Sequence, residues 1–167
     1  VAFQQGGLFD FMTVQENLHF AMRNMTDKGE EEQKKTITKL LEAVKLSGTQ
    51  KLYPHELSGG MKRRIGIARA LCNSPEVALF DEPTSGLDPV TSTIILDMIS
   101  SLSLDSKDRT LLVSTSNVEI ALRFSERIII LHEGTIIADG LWKDLLLEGS
   151  EWIKHFLSVR LIGLDLE

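Results

Sequence analysis

The sequence predicts an α/β fold in which helices pack on a mainly parallel β-sheet. Two apolar runs, 77–80 and 110–113, have the length and composition of buried parallel strands. Segments whose apolar residues recur at helical spacing lie between these runs and on either side of them. Strands that alternate with helices indicate this fold class, and 167 residues suit one domain.

Bulk properties narrow the functional class. The net charge of −6 and the pI of about 5.3 disfavour a nucleic-acid partner, which would require a basic face. Cys72 is the single cysteine, so no intramolecular disulfide can form. Apolar runs such as 128–131 are too short to span a bilayer. The chain begins at Val1 instead of methionine, which predicts a fragment or a processed product.

The elements of the first half follow from local signals. The run 1–3 enters a turn rich in glycine and reads as the end of a strand. Thr13 with Glu16 three residues later predicts a capped helix. Helical spacing continues over about 33–46, and a further helix is predicted from Ser58 to about residue 72.

The second half is read in the same way. Pro89 suits the first turn of a helix that reaches about residue 102, and 118–124 is helical. Glu133-Gly134 between two apolar runs predicts a β-hairpin. The tail 141–157 reads as two helices separated by Gly149.

Two adjacent carboxylates, Asp81 and Glu82, follow the run 77–80 directly. Sheets of this kind place ligands at the carboxyl ends of their strands. In nucleotide hydrolases the first carboxylate helps to hold Mg²⁺ on the phosphates, and the second orients or deprotonates the attacking water. The alternative interpretation is a solvated acidic turn after a strand.

A second motif, Leu57-Ser58-Gly59-Gly60, precedes a basic helix. Two glycines let the backbone approach a phosphate closely, and amides at a helix start attract anions. The alternative is a serine-capped helix after a flexible turn. Two weaker signals are the stretch 85–89, Ser-Gly-Leu-Asp-Pro, and a glutamine at a strand end, Gln4. Each of these means little by itself.

Four segments in this order resemble the ATP-binding-cassette (ABC) family over nearly the whole chain. They are the glutamine loop that begins at Gln4, the signature Leu-Ser-Gly-Gly at 57–60, the carboxylate strand at 77–82 and Ser-Gly-Leu-Asp at 85–88. The resemblance implies a P-loop NTPase fold of ABC type that binds ATP with Mg²⁺ and hydrolyses it. It also implies a subdivision into a helical subdomain at about 13–71, a core at 72–140 and C-terminal helices at 141–167.

The resemblance assigns roles where residues match. Gln4 matches the glutamine that senses Mg²⁺ and the γ-phosphate, with Gln5 as the less favoured candidate. Asp81 matches the magnesium-binding carboxylate and Glu82 the catalytic glutamate. Asp88 matches the aspartate that links the two sites of a dimer. The ATP-binding signature loop is matched by Ser58, Gly59 and Gly60.

The chain departs from the family pattern at three places. No G-x-x-x-x-G-K-[ST] phosphate-binding loop, the Walker A motif, occurs in the sequence, and we interpret this as truncation upstream of Gln4. Met61 stands where the family usually has glutamine. Ser116 occupies the expected place of the switch histidine, and serine is shorter and carries no charge near neutral pH.

The resemblance also implies partners. ATP would lie between two head-to-tail cassettes, so a second ABC ATPase subunit is expected, as a homodimer. An integral-membrane permease would hold the protein at the inner, cytoplasmic face of the membrane, and no nucleic acid is expected. A narrower similarity, carried by residues 3–12, 57–61 and 152–157, is to the ATPase subunit of Mla-type phospholipid transporters. A non-transport cassette and a degenerate, regulatory cassette remain as alternatives.

Overall fold

The computed structural model describes residues 1–4, 6–23, 29–104 and 110–158, with only the backbone described for 102–104. The structure does not describe Gln5, residues 24–28 in the loop after the first helix, residues 105–109, or residues 159–167 of the predicted C-terminal part. The chain divides into two compact units, Val1–Ser114 and Thr115–Glu167.

Helices and strands alternate as the sequence predicts. The elements of the first unit are α1 (Val14–Met22), α2 (Glu30–Ala43), a 3₁₀ turn (Pro54–Glu56), α3 (Gly59–Leu71), β1 (Val77–Asp81), α4 (Pro89–Leu104) and β2 (Thr110–Ser114). Those of the second unit are α5 (Val118–Phe124), β3 (Arg127–His132), β4 (Thr135–Leu141), α6 (Trp142–Glu148) and α7 (Glu151–Ser158).

Parallel pairing organises the sheet of the first unit. β1 and β2 pair in parallel along their whole length, with Asp81 opposite Ser114. On the other edge of β1, the Ala2 amide donates to the Leu79 carbonyl at 2.7 Å and the Ala2 carbonyl accepts from the Asp81 amide at 3.0 Å. The first residues therefore extend the sheet by one parallel bridge, as expected for a strand end.

The prediction that 77–80 and 110–113 are buried strands is only partly right, because each has an exposed face, with Leu112 of β2 49% exposed. Ala78 and Phe80 are each 1% exposed, whereas Val77 and Leu79 are 59% and 38% exposed. α3 packs against β1, and the buried side chains of β1 join those of α3 and α4 in one core. A continuous apolar run in a sequence does not reveal which of its two faces a neighbouring element covers.

The helical region follows its capping signals. The Glu16 amide donates to Thr13 Oγ1 at 3.3 Å, and the Thr13 amide donates to Glu16 Oε2 at 2.7 Å, which completes the predicted capping box. α1 packs against α2 and α3. α2 begins three residues before the predicted start, because the acidic residues 30–32 favour a helix N-terminus. It ends before Lys45, whose φ of 56° breaks the helix.

The second unit is a hairpin covered by helices. β3 and β4 pair antiparallel, and both turn residues have positive φ, 48° at Glu133 and 76° at Gly134, as a type I′ turn requires. α6 and α7 are separated at Gly149, as predicted. The small core of this unit consists of Leu122, Ile128, Ile130, Ala138, Ile153 and Leu157.

Candidate functional site

The candidate site lies at the carboxyl end of β1, where Ser114 anchors both carboxylate residues. Ser114 Oγ donates to Asp81 Oδ1 at 2.7 Å, and the Glu82 amide donates to the Ser114 carbonyl at 3.0 Å. Both contacts follow from the parallel register, which places Asp81 opposite Ser114. The strand pair therefore presents two adjacent carboxylates at one edge of the sheet.

The backbone at Glu82 turns sharply. Its φ of 43° lies in the left-handed region, which costs a residue other than glycine roughly 1–3 kcal/mol. The turn is closed by the Ser85 amide, which donates to the Glu82 carbonyl at 3.2 Å. Strained backbone of this kind is concentrated at functional sites, where it directs a side chain away from the strand.

Gln4 is held at both ends next to this turn. Its side-chain Nε2 donates to Ser85 Oγ at 3.3 Å, and its backbone carbonyl accepts from Arg63 Nε at 3.0 Å. Gln4 and Asp81 line one small cleft, and Glu82 directly follows Asp81. The residues around this cleft are Ala2, Phe3, Gln4, Arg63, Ile67, Asp81 and Pro83. The first unit thus brings together three predicted site residues that are up to 78 positions apart in sequence.

The signature residues occupy the start of α3. Ser58 is its N-cap, and Ser58 Oγ accepts from the Met61 amide at 3.3 Å. A Cβ added at Gly59 would meet nothing within 4 Å, and one added at Gly60 would meet only Thr91 Cγ2 at 3.8 Å. The two glycines therefore leave open backbone at a helix N-terminus, while the serine performs the capping that the alternative interpretation predicts.

Asp88 lies after the carboxylate turn, directly before the first residue of α4. Its Oδ2 accepts from Thr91 Oγ1 at 2.6 Å and its Oδ1 accepts from the Thr91 amide at 3.0 Å. These bonds, first that of the side chain and then that of the backbone, lower the pKa of Asp88. The carboxylate therefore stays ionised at neutral pH at the start of α4.

Ser116 belongs to the second unit, between β2 and α5. The Asn117 amide donates to Thr115 Oγ1 at 3.1 Å, and Asn117 Oδ1 accepts from the Ile120 amide at 3.2 Å. Ser116 thus lies in a turn that caps α5, and its catalytic role remains a prediction.

Sequence reasoning missed the contacts of three residues that hold the site together: Ser114, Arg63 and Ser85, which it named only as the first residue of the stretch 85–89. Ser114 could have been found, because pairing 77–81 with 110–114 in parallel places it opposite Asp81. Ser85 and Arg63 carry no such signal, since their contacts with Gln4 join segments 81 and 59 residues apart.

The comparison with known families decides the classification. The family model described as "ABC transporter" matches residues 1–85, which is more than half of the chain. This chain belongs to the ABC transporter family. The match includes the glutamine loop, the signature helix and the carboxylate strand.

Curated relatives agree with the family but differ in cargo. The probable ribonucleotide transport ATP-binding protein mkl of Mycobacterium leprae is 37% identical over 98% of this chain and 47% of its own length. Protein TRIGALACTOSYLDIACYLGLYCEROL 3, chloroplastic, of Arabidopsis thaliana is 33% identical over 98% of this chain and 52% of its own. The chain therefore spans about half the length of the curated relatives it matches.

Solved structures confirm the P-loop NTPase fold of ABC type. A dimeric bacterial ABC transporter cassette matches with a TM-score of 0.73 and 32% identity, over 84% of this chain and 61% of that one. A dimeric post-hydrolysis state of an ATP-binding cassette, bound to ADP and Pi, matches with a TM-score of 0.71. Within the described ranges, no helix has the length and apolarity needed to cross a membrane.

Proposed function

We propose that this chain forms part of the ATP-binding and ATP-hydrolysing subunit of an ABC transporter, which hydrolyses ATP as a full-length dimer and not as this chain alone. The observation that carries the proposal is the cleft at the end of β1, where Gln4 and Asp81 lie together and Glu82 follows on a strained turn. Family membership and the similarity to a cassette bound to ADP and Pi support the same activity.

In this proposal each side chain has one task. Glu82 accepts a proton from the attacking water or orients it, as a general base does. Gln4 places its amide beside the γ-phosphate, and its contact with Ser85 presets that amide before nucleotide binds. Ser116 replaces the switch histidine, and its shorter side chain predicts slow turnover.

The donors in the cleft fit Mg²⁺. Asp81 and Gln4 supply oxygen ligands, which Mg²⁺ prefers, and Ser114 fixes one carboxylate oxygen of Asp81. Among the described residues there is no cluster of three or more His, Cys, Asp or Glu side chains that could hold a metal. Mg²⁺ takes one or two protein ligands and completes its shell with phosphate oxygens and water. When bound, the ion would offset phosphate charge.

We further propose that two cassettes pair head to tail around ATP. Ser58, Gly59 and Gly60 would bind the nucleotide held mainly by the other subunit, and Asp88 would link the two sites. The dimeric cassette structures support this arrangement. The division into 13–71, 72–140 and 141–167 belongs to the same proposal: the helical part presents the signature loop, the core supplies the carboxylates, and the C-terminal helices complete the subunit.

For the cargo we propose phospholipid, moved through an integral-membrane permease that holds this subunit at the inner face of the membrane. The support is the similarity of residues 3–12 and 57–61 to Mla-type ATPase subunits, together with the plastid relative whose name refers to a galactolipid. Other relatives are named for ribonucleotide, glycine betaine and methionine transport, so the cargo needs a direct test.

The test uses the protein expressed from its native gene and purified from membranes in detergent. We expect an integral-membrane protein to co-purify and Mg²⁺-dependent ATPase activity to rise when the complex is placed in phospholipid vesicles. ATPase activity that responds to methionine or betaine, and not to phospholipid, would reject the cargo but keep the ATPase. ATP binding with no hydrolysis under any condition would favour the degenerate cassette, which the serine at position 116 suggests.

A further inference from the structure

The glutamine loop is fastened to one face of α3. Arg63 Nε donates to the Gln4 carbonyl at 3.0 Å, and Arg69 Nη1 donates to the Gly7 carbonyl at 2.7 Å. Between these arginines, Gly66 packs so closely that a Cβ added there would lie 2.6 Å from Gly6 Cα. Residues three apart on a helix share a face, so 63, 66 and 69 form one continuous seat for the loop.

Arg63 is the part of this seat that reaches the candidate site. It lines the cleft with Gln4 and Asp81, and burial lowers its pKa, with the charge of Glu82 acting in the opposite direction. Its Nη1 is buried without a hydrogen-bond partner among the described residues. The Nε of Arg64 shares this property, so the role of Arg63 rests on its contact with Gln4 and on its place in the cleft.

The position of Gln4 depends on two contacts of different kinds. Ser85 holds the end of its side chain through one 3.3 Å bond, which a nucleotide would replace. Arg63 holds its backbone, and that contact can persist when the amide turns toward a ligand. Arg63 also lies on the helix that begins at Ser58, so a single side chain joins the signature helix to the glutamine that faces the carboxylates.

We propose that Arg63 is a positioning residue for ATP hydrolysis, which holds the backbone of Gln4 at the distance from Asp81 and Glu82 that the reaction requires. The inference rests on the proposed ATPase function. Displacing a reacting or orienting group by about 1 Å can reduce a rate roughly 10²-fold. Loss of Arg63 is therefore expected to reduce kcat about 10- to 100-fold and to leave KM for ATP within about twofold.

Three variants of the native protein test this: Arg63→Met, Arg63→Lys and Arg64→Met. Methionine keeps the apolar stem but removes every donor, whereas lysine keeps one charged donor that can reach a carbonyl. Arg64 is the matched control, because it follows Arg63 on α3 but its Nη1 donates to the Val44 carbonyl at 3.2 Å. Hydrogen exchange at Gly6, whose amide donates to the Phe3 carbonyl at 2.8 Å, reports loosening of the loop without any activity.

The proposal predicts faster exchange at Gly6 and lower kcat in Arg63→Met, partial recovery of both in Arg63→Lys, and neither change in Arg64→Met. Unchanged exchange in Arg63→Met would overturn the tether, even if the ATPase fails. Faster exchange with a kcat equal to that of Arg64→Met would overturn the positioning role. Absence of ATPase activity in the wild-type protein, with exchange altered as predicted, would remove the proposed function itself and with it the catalytic role of Arg63.

Discussion

At the scale of single residues, the site is shaped by contacts that each fix one atom. Ser114 fixes one carboxylate oxygen of Asp81, Ser85 fixes the amide of Gln4, and Arg63 fixes the Gln4 backbone. The sequence predicts Asp81 and Gln4 because motifs name them. It does not predict their partners, since a hydrogen bond between distant segments depends on how those segments pack.

Ser116→His in the native protein tests the residue that departs most from the family. The usual histidine reaches the γ-phosphate, and losing one well-placed donor commonly costs about 10²–10³ in rate. We therefore expect the histidine variant to hydrolyse ATP faster with little change in nucleotide affinity, because the gain lies in the transition state. Turnover measured with saturating Mg²⁺ and ATP reports this. An unchanged or lower rate would show that another group already supplies the contact.

Cys72 is expected to resist thiol reagents. Its Sγ donates to the Arg69 carbonyl at 3.0 Å, and burial raises its pKa to about 11. At pH 8 only about one thiol in a thousand is then ionised, so labelling with iodoacetamide should be slow in the folded protein and fast in urea. Because the folded pKa exceeds the ordinary thiol value of 9.0, this group's contribution to stability is present below about pH 9 and is lost as pH rises through the folded pKa. Equal labelling rates in both states would contradict the burial.

At the scale of elements, local signals predicted most helices and the hairpin, because capping boxes and type I′ turns are decided by residues three or four apart. The prediction that β1 is buried was only partly right, since Val77 and Leu79 are exposed on one face. A run of apolar residues predicts that a segment avoids water, but the exposure of each side chain depends on which elements pack against each face of the strand.

Asn17 is the polar residue on which the start of α1 depends. It is fully buried, and its Oδ1 accepts from the Phe9 amide at 2.8 Å. Its Nδ2 donates to the carbonyls of Phe9, Met12 and Thr13 at 3.0–3.1 Å. Asn17→Ala removes the partner of the Phe9 amide and of the Met12 carbonyl, whereas the carbonyls of Phe9 and Thr13 still accept from the backbone amides of residues 12 and 17. The free energy of unfolding should therefore fall by roughly 1–3 kcal/mol.

Urea denaturation of the purified chain measures this effect, with Gln15→Ala on the same helix as the control. Equal stabilities of the two variants would mean that Asn17 does not hold the segment that joins the glutamine loop to α1.

At the scale of the whole molecule, the fold class and family were predictable because four motifs occur in one order along the chain. The family model confirms the family, and the solved cassettes confirm the fold class. The seat of the glutamine loop on α3 was not predictable, since it depends on Gly6, Gly66 and two arginines that carry no motif by themselves. The cargo was likewise not predictable, because cassettes that move different cargoes share most of the residues that suggest phospholipid.

The central claim is that the carboxylate after β1 makes this chain part of an ATPase, and Glu82→Gln in the native protein tests it most directly. The amide keeps the shape but cannot accept a proton, so hydrolysis should fall by roughly 10²–10⁴-fold while ATP affinity is retained. Glu76→Gln is the matched control, since Glu76 is an exposed carboxylate directly before the first residue of the same strand. We expect Glu76→Gln to hydrolyse ATP like the wild type. A Glu82→Gln protein that also turns over at the wild-type rate would contradict the account.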